Sequence, residues 1–408
     1  MLINADLHIH SHFSMATGKS MTLQNIAKGA RQKGVQLMGT GDCLHPVWLR
    51  NIRGMDRVDE GTYELDNIRF VLTTEVEDMF RVHHLLIFPN VQAAEEMASS
   101  LEGKSKNLAS DGRPKLRMTG EEIAEQAEKV DALMGPCHAF TPYTALYAYH
   151  ESLRGSYGEM EHYISFLELG LSAESDYGDR IGELSRLTFL TNSDAHGPGS
   201  NRIAREFNRF EMQENTFQEL KLAILRRKGR KPVLNLGLPP QEGKYNETAC
   251  VRCYTHYSLS EALHNNWKCN NCGKRIKKGV KDRVEQLATT GSPVRPSHRP
   301  PYKKIIPLAE IIARVLGQGV NTKGVQRIWE PLIKKFGSEI NVLVDVPLDE
   351  LEGSTNSDVI KAVAAFRNGE VRFIPGGGGK YGEIRLPWEE LEKPKRGPEQ
   401  KGLGDFMS

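Results

Sequence analysis

Two short segments constrain this chain more than any other feature. Asp6-Leu7-His8-Ile9-His10-Ser11-His12 ends an apolar run at the N-terminus, and Asn192-Ser193-Asp194-Ala195-His196 ends another. Both preceding runs have strand character. Side chains two apart on a strand share a face, so His8 and His10 can meet one ion together. Neutral imidazole and carboxylate are the donors that zinc, manganese and iron prefer.

The 408 residues are enough for more than one domain, and 39% hydrophobic with 26% charged is ordinary for a globular chain. No apolar run approaches the roughly 18–20 residues of a membrane span. The first residues read as a strand, not as a secretory signal. Of six cysteines, four form two Cys-x-x-Cys pairs, while Cys43 and Cys137 stand alone. That arrangement suits metal binding in a reducing, cytoplasmic setting.

Residues 1–232 alternate strand-like and helix-like stretches, which predicts a parallel sheet or barrel of βα units. Thr22–Lys33 has helical apolar spacing and ends at Gly34. Thr119 and Glu122 form a capping box before a second helix. In such barrels chemistry sits where strands end. His8, His10, Asp42, Glu75, Glu77, His84, His138, Asp194 and His196 all fall at predicted strand ends, and Glu77, on the same strand face as Glu75, competes with it as a ligand. Only one of His83 and His84 should face inward, and His84 is taken as that one. His12 and His45 are further candidates. Glu75 is the best bridge between two ions, and Asp194, Glu75 and His10 are the expected catalytic centre.

Beyond Pro232 the texture changes. Cys250-x-x-Cys253 and Cys269-x-x-Cys272 enclose 15 residues, the spacing of a closed four-cysteine zinc site. Its module is placed at 246–284. A proline-bearing linker follows over 289–301. Residues 302–390 read as a mainly helical, DNA-binding region with helices at Leu308–Leu316, Val325–Phe336 and Asp358–Asn368, and 391–408 as a flexible tail. Residues 221–336 carry 24 Lys and Arg against 7 Asp and Glu, whereas 1–220 carry 21 against 32. A basic middle between acidic flanks predicts a polyanionic partner, nucleic acid first. Lys274, Arg275, Lys277 and Lys278 beside the cysteine module, with Arg202, are the expected DNA contacts.

Asp6-x-His8-x-His10-Ser11, Glu75, His138 and Asp194-x-His196, in this order, resemble the polymerase and histidinol phosphatase (PHP) superfamily. The resemblance implies a distorted βα barrel with two or three divalent metals, zinc, manganese or magnesium. It would place His8, His10, Glu75 and Asp194 on one ion, Glu75, His84 and His138 on a second, and His196 on a third. The chain departs from the superfamily's second motif: Thr40-Gly41-Asp42-Cys43 offers an aspartate where a histidine is usual.

The succession of such a barrel, a four-cysteine zinc module and a basic helical region resembles the endonuclease Q family of DNA repair enzymes. That implies hydrolysis of the phosphodiester 5′ to a deaminated base (uracil, hypoxanthine, xanthine) or an abasic site, leaving a 3′-hydroxyl and a 5′-phosphate. The partner would be DNA carrying those lesions, in a nucleoid-associated, prokaryotic-type cytoplasmic setting with no membrane. A sliding clamp is a further candidate partner, and Asp405-Phe406-Met407 would offer it an aromatic side chain. The alternatives are a small-molecule phosphomonoesterase of the PHP superfamily and a nucleic-acid-binding protein without catalysis.

Overall fold

A computed structural model describes residues 1–389. The end of the chain, with the tail expected at 391–408 and its Phe406, lies outside the described residues. The first part contains strands β1 (Leu2–Asp6), β2 (Leu37–Gly39), β3 (Asp56–Arg57), β4 (Thr62–Leu65), β5 (Ile68–Glu77), β6 (His83–Phe88), β7 (Leu133–Pro136), β8 (Phe166–Glu168), β9 (Thr188–Leu190), β10 (Phe207–Glu211) and β11 (Lys231–Gly237).

β1, β2 and β5 pair in parallel, β6 joins β5 and β7 antiparallel, and β8 pairs with β9 in parallel. Backbone bonds then close the ring. Ser165 N–H donates to Met134 (3.5 Å) and Ala139 N–H to Glu168 (2.9 Å), linking β7 to β8. Asp194 N–H donates to His8 (2.9 Å) and His10 N–H to Ala195 (3.0 Å), linking the extension of β9 to that of β1. β10 and β11 extend the sheet beside the ring.

The sheet is therefore a distorted barrel of the expected βα kind, mixed because one strand of its ring is antiparallel. The reason is local. Only residues 78–82 separate β5 from β6, and a parallel crossover needs a dozen or more. Asp78 tightens this turn by accepting from the N–H groups of Phe80 and Val82, both at 2.8 Å. Because β6 alone runs backwards in the ring, its start lies on the rim where the other strands end.

The predicted helices are present with small shifts at their ends. Leu23–Lys33 is capped by Thr22 and closed by Gly34 at φ 90°. Gly120–Lys129 carries the complete Thr119–Glu122 capping box. The cysteine module holds β12 (Ala249–Cys250) and β13 (Ile276–Lys277). β14 (Tyr302–Lys304) then adds to β11 in parallel, so the C-terminal region begins inside the barrel's own sheet. Its helices include Leu308–Leu316, Lys323–Phe336 and Ser357–Asn368.

The C-terminal region is fastened by buried polar contacts as well as apolar ones. Lys33 meets Glu339 at 2.5 Å with both side chains buried, and Trp329 Nε1–H donates to the same carboxylate at 2.6 Å. Burying both charges is tolerable because each is matched. The segment expected as a linker is docked on the barrel as well. Arg299 is buried under the barrel, bonded to Asp179 at 2.9 Å and to the Leu187 carbonyl at 2.8 Å, with its guanidinium 3.2 Å from the Phe189 ring centre. Among the described residues no helix is long and apolar enough to cross a membrane.

Candidate active site

The rim of the barrel gathers histidines and carboxylates from strand ends far apart in sequence. One group consists of His8, His10 and Asp194, and another of Glu75, His83 and His138; within each, the ligand atoms lie within 4.8 Å of one another. Glu75 joins the two. Its Oε1 lies 2.6 Å from His83 Nδ1, 3.0 Å from His138 Nε2 and 3.7 Å from His8 Nε2, and its Oε2 lies 3.4 Å from His10 Nε2. Asp194 Oδ1 lies 3.1 Å from His10 Nε2 and 3.8 Å from His8 Nε2.

The donor set fits divalent cations. His8 is buried, and its Nε2 has no hydrogen-bond partner. Its Nδ1 is held by Glu168, 3.1 and 2.9 Å from the two carboxylate oxygens. A carboxylate on one imidazole nitrogen fixes the ring and leaves the other for a metal. His10 has the same arrangement, with Asp42 3.3 Å from its Nδ1 and its Nε2 turned to Asp194 and Glu75. Burial opposes charge on both rings. The carboxylates outweigh it, Glu168 at His8 and Asp194 with Asp42 at His10, and push both imidazoles well above their ordinary range. Burial would also raise the Glu75 and Asp194 carboxyls, yet the surrounding histidines hold both well below the usual carboxylate range.

Backbone conformation aims three of these side chains. Asp42, His138 and Asp194 have φ of 49°, 30° and 46°, a region that is strained for side chains with a Cβ and that clusters at functional sites. The chain gives way to His138 at Gly170 (φ 70°), where a Cβ would lie 2.4 Å from the Cβ of His138.

Two expectations need correction. His84 does not face the centre. In the β5–β6 register His84 opposes Val76 while His83 opposes Glu77. The ring of His84 instead pairs with the Tyr157 hydroxyl (2.8 Å) and Asp78 (3.3 Å). Asp42 is fully engaged away from the centre. Its Oδ2 accepts from the Ser11 N–H (2.7 Å), Ser11 Oγ (2.6 Å) and Ser14 Oγ (2.8 Å), and its Oδ1 meets His10. It holds the His10 ring.

The remaining candidates divide. His196 stands beside Asp194 (3.4 Å) and stacks on His10 with ring centres 4.4 Å apart. His12 and His45 lie outside both groups. His12 Nδ1 meets the Met21 carbonyl at 3.0 Å, and His45 caps the Pro46–Arg53 helix and stacks on Phe13 at 4.0 Å.

The four cysteine sulfurs form a third group, also within 4.8 Å. Cys250 and Cys272 are 3.4 Å apart, as are Cys253 and Cys269. These separations far exceed a disulfide bond of about 2.05 Å. Tyr257 donates its hydroxyl to Cys269 at 3.1 Å.

Comparison with known proteins gives the chain's relatives. A family model described as the MJ0043 C-terminal domain matches residues 307–370. The chain is 44% identical over 260 residues to MJ0043 of Methanocaldococcus jannaschii, a match covering 62% of this chain but only 32% of that longer protein's length. It is 31% identical over 407 residues to YqxK of Bacillus subtilis, covering 94% of this chain and 99% of that one. Among solved structures it is similar to the lesion-specific endonuclease PfuEndoQ from Pyrococcus furiosus, at 49% identity and a TM-score of 0.92, covering 96% and 97% of the two chains. It is also similar to endonuclease Q in complex with a 27-mer duplex substrate bearing an abasic lesion at the active site, at 49% identity and a TM-score of 0.90, covering 96% and 98%.

The chain belongs to the endonuclease Q family.

Several residues of this endonuclease Q family member escape sequence reasoning. Glu168 ends β8 and carries no motif, yet it orients His8, accepts from the His138 N–H at 3.0 Å and holds Asn192 at 2.8 Å. Arg113 reaches Glu75 from a loop with no strand or helix signal, its Nη1 3.2 Å away. The position of Glu168 at a strand end was the one available sign. Beside the metal groups lies a cleft of about 410 Å³, lined by His83, Arg113, His138, Thr141, Ser172 and Asp194.

The basic residues of the cysteine module take different positions. Lys274 and Arg275 are exposed, as is Arg202 on the rim. Lys277 Nζ sits 4.0 Å from the Tyr143 ring centre, and Lys278 Nζ lies 5.5 Å from that of Trp267. The Gly376–Gly379 stretch packs against the segment 241–250. Its Gly376 and Gly379 amides are spent on Gln241 and Lys244, and a Cβ on Gly378 would lie 2.2 Å from the Cys250 carbonyl oxygen.

Proposed function

We propose that this protein is a DNA repair endonuclease that hydrolyses the phosphodiester 5′ to a deaminated base or an abasic site, leaving a 3′-hydroxyl and a 5′-phosphate. The observation that carries the reading is Glu75 shared between two histidine-containing groups on one barrel rim, within a family whose solved members are lesion-specific endonucleases. His8, His10, Glu75 and Asp194 would hold one divalent cation, and Glu75, His83 and His138 a second. His196, beside Asp194, would serve a third. The ions are zinc, manganese or magnesium, and the four cysteines hold a structural zinc.

When bound, such cations polarise the phosphodiester and make water a nucleophile near neutral pH. The chain's own residues do the rest. Glu168 and Asp42 keep the imidazoles of His8 and His10 in one tautomer, aimed inward. Backbone strain at His138 and Asp194 keeps their donors fixed. The loops at 139–144 and 170–177 wall the cleft, where an extruded nucleotide could be read. Extruding a base costs a few kcal/mol and less at a lesion, which adds selectivity. Arg202, Lys274, Arg275, Lys277 and Lys278 supply sequence-independent attraction to phosphates.

A panel of duplexes carrying uracil, hypoxanthine, xanthine, an abasic site or no lesion, incubated with manganese, magnesium or zinc, tests this. Nicking on the 5′ side of lesions alone is the expected result. Turnover of a small phosphomonoester without nicking of any duplex would overturn it.

A further inference from the structure

We infer that Arg113 is a catalytic residue whose guanidinium contacts a non-bridging oxygen of the scissile phosphate. The inference rests on the endonuclease reading above. Arg113 Nη1 lies 3.2 Å from Glu75 Oε2, and the side chain is 20% exposed, on the wall of the cleft that His83, His138 and Asp194 also line.

Its placement is built and not incidental. Arg113 follows Gly112, which packs directly on the residue that orients His10: a Cβ there would lie 2.1 Å from Asp42 Oδ2. The Gly112 N–H donates to the Phe13 carbonyl at 3.2 Å, and Asp111 Oδ1 accepts from the Arg113 N–H at 3.1 Å. The loop is thereby pinned to the segment that carries His10, so the guanidinium and the imidazole keep a fixed relation.

An ion pair with Glu75 accounts for only one of the arginine's donors. Glu75 already has four imidazoles within 3.7 Å, and any cation it binds adds positive charge beside the guanidinium. The donors left unspent can meet a further anion in the cleft, which Glu75, already shared, does not fill. A phosphodiester brought to this rim supplies it, with two non-bridging oxygens that suit the planar donor fork. Of the five guanidinium N–H groups, one is used on Glu75, and among the described residues the others meet no protein acceptor. Lys115, two residues on, is paired with Glu77 at 3.3 Å and 52% exposed, so it does not offer the same reach.

The test compares the full-length parent with Arg113→Ala and Arg113→Lys on a lesion duplex and on the same duplex with a methylphosphonate at the scissile position. Bound metal is measured by elemental analysis, and duplex affinity by fluorescence anisotropy with calcium as the added ion. Arg113→Ala is expected to lose about 10²–10³-fold in kcat, as for removal of one donor to developing charge, with bound metal unchanged and affinity altered less than ~3-fold. Arg113→Lys should lose less, and added guanidinium should restore part of the alanine variant's rate. On the methylphosphonate duplex the difference between parent and Arg113→Ala should shrink to within ~3-fold. Parent-like kcat in Arg113→Ala, loss of metal in step with rate, or an undiminished difference on the methylphosphonate would each overturn the inference. A parent that nicks no lesion duplex would show up before any variant is made; that is a failure of the endonuclease reading, and the inference falls with it.

Discussion

His83 Nδ1 and Glu75 Oε1 meet at 2.6 Å across the β5–β6 hairpin, while His84, the next residue, points to the opposite face. Two adjacent histidines thus have opposite roles. His83→Ala should lower nicking by more than the ~10–100-fold typical of losing a residue that only supports a ligand, and should reduce bound metal. His84→Ala should keep its metal and most of its activity but lose about 1–3 kcal/mol of stability, because Tyr157 and Asp78 lose a buried partner. Metal content, nicking rate and thermal melting of both variants decide the matter; equal metal loss in the two would contradict the register.

Glu168 supports His8 without facing the cleft. Glu168→Gln removes the charge while keeping the shape. We expect a fall of about 10–100-fold in metal affinity or nicking, with duplex affinity unchanged. Calorimetric titration with manganese is the direct readout, and parent-like affinity would remove Glu168 from this role.

Glu206 gives a pH prediction. Burial raises its carboxyl from 4.5 to about 8, against the Leu238 N–H bond that lowers it, and one of its oxygens has no partner. Its folded pKa lies above the unfolded one, so the folded state holds more protons between those values, and this contribution falls as pH rises through them. Stability from this group is therefore fullest below about pH 4.5 and lost above about pH 8. Glu206→Gln has no such proton to lose, so its Tm relative to the parent should rise steadily over that window. A constant difference would show that Glu206 does not titrate there.

The cysteine module has a small core of Cys250, Ala262, Cys269 and Ile276, too little to hold it without a metal. Cys250→Ser with Cys253→Ser should unfold the cysteine-bearing part and weaken duplex binding, while the barrel stays folded together with Val280 and Val284, which belong to its own core. Hydrogen exchange confined to residues 249–277 is the expected signature. Full protection there together with undiminished affinity would exclude the structural zinc.

Much of the barrel was legible because strand and helix periods are local. The His8–His10 pair, the Asp194-x-His196 pair and the Thr119–Glu122 box follow from spacing along one element, and the structure contains each in place. The His83 choice was legible in principle, since a hairpin with residues 78–82 as its turn sets a register that puts His83 opposite Glu77. Asp42 was misjudged because its oxygens are consumed by Ser11 and Ser14, contacts made only when two loops meet. The linker was misread for a related reason: prolines stiffen a segment, but burial of Arg299 against Asp179 and Phe189 makes it part of the body.

The sequence by itself determined the donor types, their strand-end positions, the four-cysteine module and the uneven charge, because these depend on residue identity and short-range geometry. Only the tertiary structure decided which imidazole faces Glu75, that Glu168 and Asp42 stand behind the ligands, and that Arg113 leans over them. Those relations join residues separated by tens to hundreds of positions, and their distances are set by ring closure and packing, which no local period encodes.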